Sequence, residues 1–202
     1  MRMKVRMKQV SLFTIFILLT LALTLTRTYA TANTVSVISD ATNKVTATIT
    51  GFSDPLGIAF DSIKNEVFVA NAVSGTVSVI SDASNTVIKT ITGINDPVAL
   101  AFDSYKDEVF VASIASATVS VISDASNTVV ATITGVSVPY ALAYDSYKHE
   151  IFVSNALTSG IVYVISDASN TVTATITGFT GPAAIAFDSY RHEIFITNVG
   201  AI

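Results

Sequence analysis

The sequence predicts an all-β protein: a β-propeller of four repeats, each a four-stranded antiparallel blade, preceded by a signal peptide. Three observations lead there. The phrase VISDASNTVVATITG at 121 returns in close variants at 37, 79 and 164. Its Asp falls at 40, 82, 124 and 167, so the period is 42, 42 and 43, within the roughly 40–45 residues of a four-stranded blade. Each unit is built of short runs rich in Val, Ile, Phe and Thr, and none places apolar residues at helical spacing.

Residues 1–32 read as the signal peptide. Arg2, Lys4, Arg6 and Lys8 form a basic start, Val10 to Leu25 is an almost unbroken apolar run, and Ala30 or Ala32 offers the cleavage point. The alternative is a retained anchor, although the apolar run is shorter than the roughly 20 residues of a membrane span. Residues 33–202 are then the repeat domain, and no segment in it is a candidate for crossing a bilayer.

Within a unit the runs come in a fixed order. GIAFD (57–61) leads through a polar turn to EVFVAN (66–71), then TVSVIS (76–81), the turn DASN, and TVIKTIT (86–92). The second run is continuously apolar, as expected of a strand covered on both faces, whereas a half-exposed strand alternates. The last run alternates: Val45, Ala47 and Ile49 are expected to face the core together, with Thr46, Thr48 and Thr50 opposite. Asp82 and Asn85 suit a tight turn whose last residue is left-handed, as do Asp40/Asn43, Asp124/Asn127 and Asp167/Asn170. Pro55, Pro97, Pro139 and Pro182 open the next blade, where a missing amide interrupts no ladder.

Phe68-Val69-Ala70-Asn71, Phe152-Val153-Ser154-Asn155 and Phe195-Ile196-Thr197-Asn198 resemble the Tyr-Val-Thr-Asn signature of the YVTN family of β-propeller repeats. The segment VSVISDASNTVVATITG is similar to the next segment of that family's repeat. Ser113 stands in place of the Asn in the second unit, and the first turn reads DSYK instead of the family's Pro-Asp-Gly type. The resemblance implies an archaeal or bacterial secreted or surface-layer-like protein, hence an extracellular scaffold or binding domain.

Thr34 to Ile202 spans 169 residues, a whole number of repeats. Three arrangements fit: a closed four-blade ring in which 34–50 completes the last blade, an open arc of a longer propeller, or two chains joined into an eight-blade ring.

Without the leader the chain keeps six basic against fifteen acidic residues, a net of −9. This acidity, with no basic stripe, argues against nucleic acid as a partner. Envelope proteins, glycans or a second copy are the partners expected. No Cys is present, which excludes thiolate chemistry. His149 and His192 occupy one turn position, shared with Asn65 and Asp107, and read as solvated turn residues. Asp61, Asp103, Asp145 and Asp188 would form a carboxylate ring if the fold closed, but each more simply caps its own turn. No metal, cofactor or catalytic residue is therefore expected. The loops before the first strand and after the second vary between units and are expected to share one face. There Asp54, Asp96, Tyr140, Asn71 and Asn155 are the candidate binding residues. The function expected is a non-catalytic secreted or cell-surface binding or structural module. The alternatives are a propeller enzyme of the lyase or quinoprotein kind, or a fragment of a longer YVTN propeller.

Overall fold

The computed structural model describes residues 32–155 and 160–200, all but Ala32 within the compact unit Asn33–Ile202. The expected signal peptide lies outside these, apart from Ala32, as does most of the loop carrying the extra residue of the third period. Among the described residues no helix is long and apolar enough to cross a membrane.

Three blades are complete. The first is β3 (Pro55–Asp61), β4 (Glu66–Asn71), β5 (Thr76–Ser81) and β6 (Thr86–Thr92). The second is β7 (Pro97–Asp103), β8 (Glu108–Ser113), β9 (Thr118–Ser123) and β10 (Thr128–Ile133). The third is β11 (Pro139–Asp145), β12 (Glu150–Asn155), β13 (Ile161–Ser166) and β14 (Thr171–Thr177). Each is an antiparallel meander in chain order. Two half blades flank them as separate two-stranded sheets: the outer pair β1 (Val35–Ser39) and β2 (Lys44–Ile49), and the inner pair β15 (Pro182–Asp188) and β16 (Glu193–Asn198). The arrangement is propeller-like. Among the described residues no ladder joins β16 to β1, so the sheets do not close into a ring.

The core consists of blade-to-blade contacts. The trailing face of the first blade (Phe68, Val77, Val79, Ile91) meets the leading face of the second (Leu100, Val111, Ile122). Phe110, Val119, Val121 and Ile133 meet Leu142, Val153 and Ile165 of the third blade in the same way. Second and third strands are thus covered on both sides, which explains their unbroken apolar runs.

The last strand departs from simple alternation. Val45 pairs with Ile38 and Ala47 with Val37, with a bulge between them. Thr46 is therefore an extra residue, and Val45 lies on the face opposite Ala47 and Ile49. Ile49 is buried and Val45 exposed. The other outer pairs carry the same irregularity, at Val79/Ile80, Val129/Ala131 and Val164/Ile165.

At Gly57, β3 lies close against β7. A Cβ on Gly57 would lie 2.7 Å from both Ala99 Cα and Val98 O, although the matching positions carry Ala99, Ala141 and Ala184. Gly57→Ala should therefore destabilise by about 1–3 kcal/mol through overpacking. Urea unfolding will read this, and an unchanged midpoint would mean the two strands separate freely.

Candidate functional site

The two ends of the blades differ in chemistry. At one end, in three of the units, the loop before the first strand lies beside the start of the loop after the second. Ala72 N donates to Asp54 O at 3.1 Å, Ile114 N to Asp96 O at 3.2 Å, and Val199 N to Gly181 O at 3.0 Å. The two variable loop sets do share a face. Asp54 and Asp96 are left-handed, with φ of 56° and 52°, a conformation that Asp tolerates better than most residues. Asp54 and Tyr140 are exposed, and Asp96 is half-buried.

Asn71 and Asn155 need correction as surface contacts. They are only 2% and 1% exposed; at Asn71 the incoming loop folds back onto the side chain. Asn71 Oδ1 accepts from Ser53 N at 3.2 Å, while Nδ2 donates to Ser78 Oγ at 2.9 Å and Thr76 Oγ1 at 3.3 Å. Asn198 Oδ1 likewise accepts from Thr180 N at 3.2 Å. The Asn of the repeat is thus a clamp tying the second strand to the incoming loop. Ser113 is too short for this role, and its buried Oγ has no hydrogen-bond partner.

At the other end the turns after the first and third strands meet. Asp61 Oδ1 accepts from Ile63 N at 2.7 Å and Lys64 N at 3.2 Å. Asp103, Asp145 and Asp188 cap their turns identically, at 2.8–3.2 Å. Two of these Asp also meet an Asp of the next blade, Asp61 with Asp124 and Asp103 with Asp167. One oxygen each from Asp61, Glu66 and Asp124 lies within 4.8 Å of the others, and Lys64 Nζ stands 3.2 Å from Asp124 Oδ1 while donating to the Asp124 carbonyl. Burial pushes the Asp124 carboxyl up to about 6; Lys64 opposes the shift and neighbouring Asp61 reinforces it. In the next boundary Lys106 donates to the Asp167 carbonyl. Burial, then the Asp103 charge, raises Asp167, and burial is likewise the largest cause of the raised Glu108. The Asp61, Glu66 and Asp124 carboxylates are a group that could hold a cation; Ca²⁺ would draw the rest of its roughly 6–8 oxygens from carbonyls or water, and the Lys64 ammonium competes for the same charge. The set is a carboxylate-rich joint between blades, with a lysine from the turn reaching across each of the two boundaries.

The histidines also belong to this joint, a role the turn composition does not reveal. Asn65, Asp107, His149 and His192 all have φ of 54–58°, which accounts for the choice of residue types. The His149 ring, however, lies 4.1 Å from the Tyr105 ring of the preceding blade, and His192 stacks on Tyr147 at 4.0 Å. His149 Nδ1 is 2.9 Å from Tyr144 Oη and 3.9 Å from Asp167 Oδ2. Burial, followed by Asp103, raises the Tyr144 hydroxyl, so it stays a neutral hydrogen-bonding group. The recurring Tyr and His two residues apart in DSYKHE are the available signal. What they lack is the neighbouring blade.

Neither a protein-family model nor a curated protein matches the sequence. Among solved structures the chain is similar to Kuenenia stuttgartiensis hydrazine synthase, with a TM-score of 0.74 and 19% identity over 82% of this chain and 49% of that one. The likeness concerns the fold, and the chain spans about half of that protein's length.

Proposed function

We propose that residues 33–202 form a YVTN-type secreted or cell-surface propeller acting as a non-catalytic binding or structural module of the envelope, exported by residues 1–32. The observation supporting this reading is the contrast between the ends. The turn end repeats one set of residues from blade to blade, while the loop end sets Asp54, Asp96 and Tyr140 on loops whose sequences differ. An acidic and aromatic loop face suits an envelope protein or a glycan, where Tyr supplies amphipathic contact area. Histidines held in stacks at the opposite end are poorly placed to serve that face.

Co-sedimentation of the purified chain with isolated cell envelopes tests it. Wild type should pellet saturably, and the combined variant Asp54→Asn, Asp96→Asn, Tyr140→Ala should bind roughly tenfold or more weakly; Asn keeps the left-handed turns intact. Equal binding by the variant would remove the loop face from the reading, and no binding by wild type would remove the module itself.

A further inference from the structure

We propose that Asp61, Glu66 and Asp124 hold one divalent cation of the Ca²⁺ class at the boundary between the first and second blades, and that the equivalent acids of the next boundary bind it less tightly. The first boundary brings one oxygen from each of the three residues within 4.8 Å of the others, and among the described residues no other group of three Asp, Glu, His or Cys does so. Acidic residues gathered at a turn are ordinary. These are set apart by being buried and unsatisfied. Asp61 is 0% exposed; its Oδ1 is taken up by the amides of Ile63 and Lys64, but its Oδ2 has no hydrogen-bond partner. Glu66 Oε2 is buried and also without one. Asp124 is 1% exposed, and its Oδ1 accepts no hydrogen bond either, although Lys64 Nζ stands 3.2 Å away.

Water alone would satisfy such oxygens but not their charge. Three carboxylates against the single Lys64 ammonium leave two negative charges in a desolvated place when all are ionised, and Lys64 directs its hydrogen bond to the Asp124 carbonyl. Buried charge of this kind is paired, neutralised by a proton or bound to a metal. The raised Asp124 carboxyl, shifted chiefly by burial, reflects the same deficit. An ion with two positive charges removes it. Oxygen-only ligands select a hard cation over Zn²⁺ or Cu²⁺, which favour imidazole or thiolate. Two oxygens bound to Ca²⁺ at roughly 2.3–2.6 Å lie at most about 5.2 Å apart, whereas Mg²⁺ at roughly 2.0–2.1 Å holds its oxygens within about 4.2 Å. A spread of up to 4.8 Å therefore suits Ca²⁺ as the strands stand.

The second boundary is an internal comparison. Asp103, Glu108 and Asp167 stand at the same repeat positions, and Asp103 Oδ2, Glu108 Oε2 and Asp167 Oδ2 are again without hydrogen bonds. The unsatisfied acids are thus a property of the repeat. Their oxygens do not converge as the first set does, and their surroundings differ at two positions. Tyr144 stands where the first boundary has Phe102, and His149 where it has Asp107. The Tyr144 hydroxyl lies 2.9 Å from His149 Nδ1 and close to Asp103, while His149 Nδ1 is 3.9 Å from Asp167 Oδ2. A hydroxyl donor and an imidazole able to take up a proton therefore stand among these acids. At the first boundary Phe102 offers no donor and Asp107 adds a negative charge, on a residue whose carbonyl accepts from Asp124 N at 3.0 Å. That boundary is the one left to a metal ion.

Calorimetric titration of the full chain with Ca²⁺ at neutral pH, after treatment with a chelator, tests the site. One tight site per chain should fill with a Kd of about 0.1–1 mM, and the melting temperature should rise saturably with it. Glu66→Gln, which keeps the size of the side chain and removes its charge, should weaken that site roughly tenfold or more. Glu108→Gln, at the same position of the next blade, should leave it unchanged. Lys64→Met removes the competing ammonium and should tighten it, and circular dichroism without Ca²⁺ checks that each variant is folded. No binding by wild type at about 10 mM Ca²⁺, tenfold above that range, would overturn the proposal, as would binding by Lys64→Met alone. Equal affinity in wild type and Glu66→Gln, equal losses in both Gln variants, or a preference for Mg²⁺ would do the same. An unsaturable rise in melting temperature shared by Glu66→Gln would be screening of an acidic surface and would also overturn it. None of these residues lies at the loop end, so the outcome is independent of envelope binding.

Discussion

Phe110→Ala should lower unfolding stability by about 3–5 kcal/mol, whereas Phe195→Ala, at the same repeat position, should cost less than about 1 kcal/mol in the dilute single chain. Phe110 sits in the middle of β8 and is fully buried among Val119, Val121, Leu142 and Val153. Both blades that touch it are held by other contacts, so neither can collapse into the space left by the ring, and a cavity term adds to the lost transfer energy. Phe195 has solvent on its trailing side, so its removal opens no enclosed void. Urea denaturation of both variants at low concentration separates the cases. Equal losses would mean that the two positions have equal surroundings in solution.

The second large effect depends on pH. Asp124 has its carboxyl raised from 3.8 to about 6 in the folded state, chiefly by burial, so between those values the folded chain holds a proton that the unfolded chain has released. Stabilisation from that proton is complete below 3.8 and is lost as pH rises through 6. As pH rises from about 4 to about 7 the native state should therefore lose about 2–3 kcal/mol through this group. Asp124→Asn keeps the shape and cannot ionise. The stability of the variant relative to wild type should improve by that amount over the same range, while unrelated titrations cancel in the difference. A difference independent of pH would show that Lys64 holds Asp124 ionised throughout. Asp167 is raised in the same sense by the same cause, so Asp167→Asn should behave alike in direction.

Much of the architecture is legible in the residues. The blade period, the four strands per unit, the turn-capping Asp and the left-handed Asn all obey local rules, and the structure places each where the pattern predicts. Val45 escapes the pattern because a bulge moves it to the other face, and a period of two cannot register one inserted residue. Asn71 and Asn155 read as exposed loop-end amides. The burial of Asn71 depends on the incoming loop folding over it, which strand pattern does not report. His149 and His192 stand in turns, as their composition predicts, but their ring partners Tyr105 and Tyr147 come from the preceding blade.

The division has one physical source. Whatever is decided within a single unit is written in its own residues: hydrogen-bonded hairpins, tight turns and faces that alternate with the pleat. Whatever is decided between units requires the spatial relation of one sheet to the next. That relation sets which Phe is covered, which Asp is pressed against another carboxylate, and which histidine finds a tyrosine. Sequence alone determined the blade; only tertiary packing decided which copies of the same residue are core and which are surface, because burial belongs to the neighbour as much as to the residue.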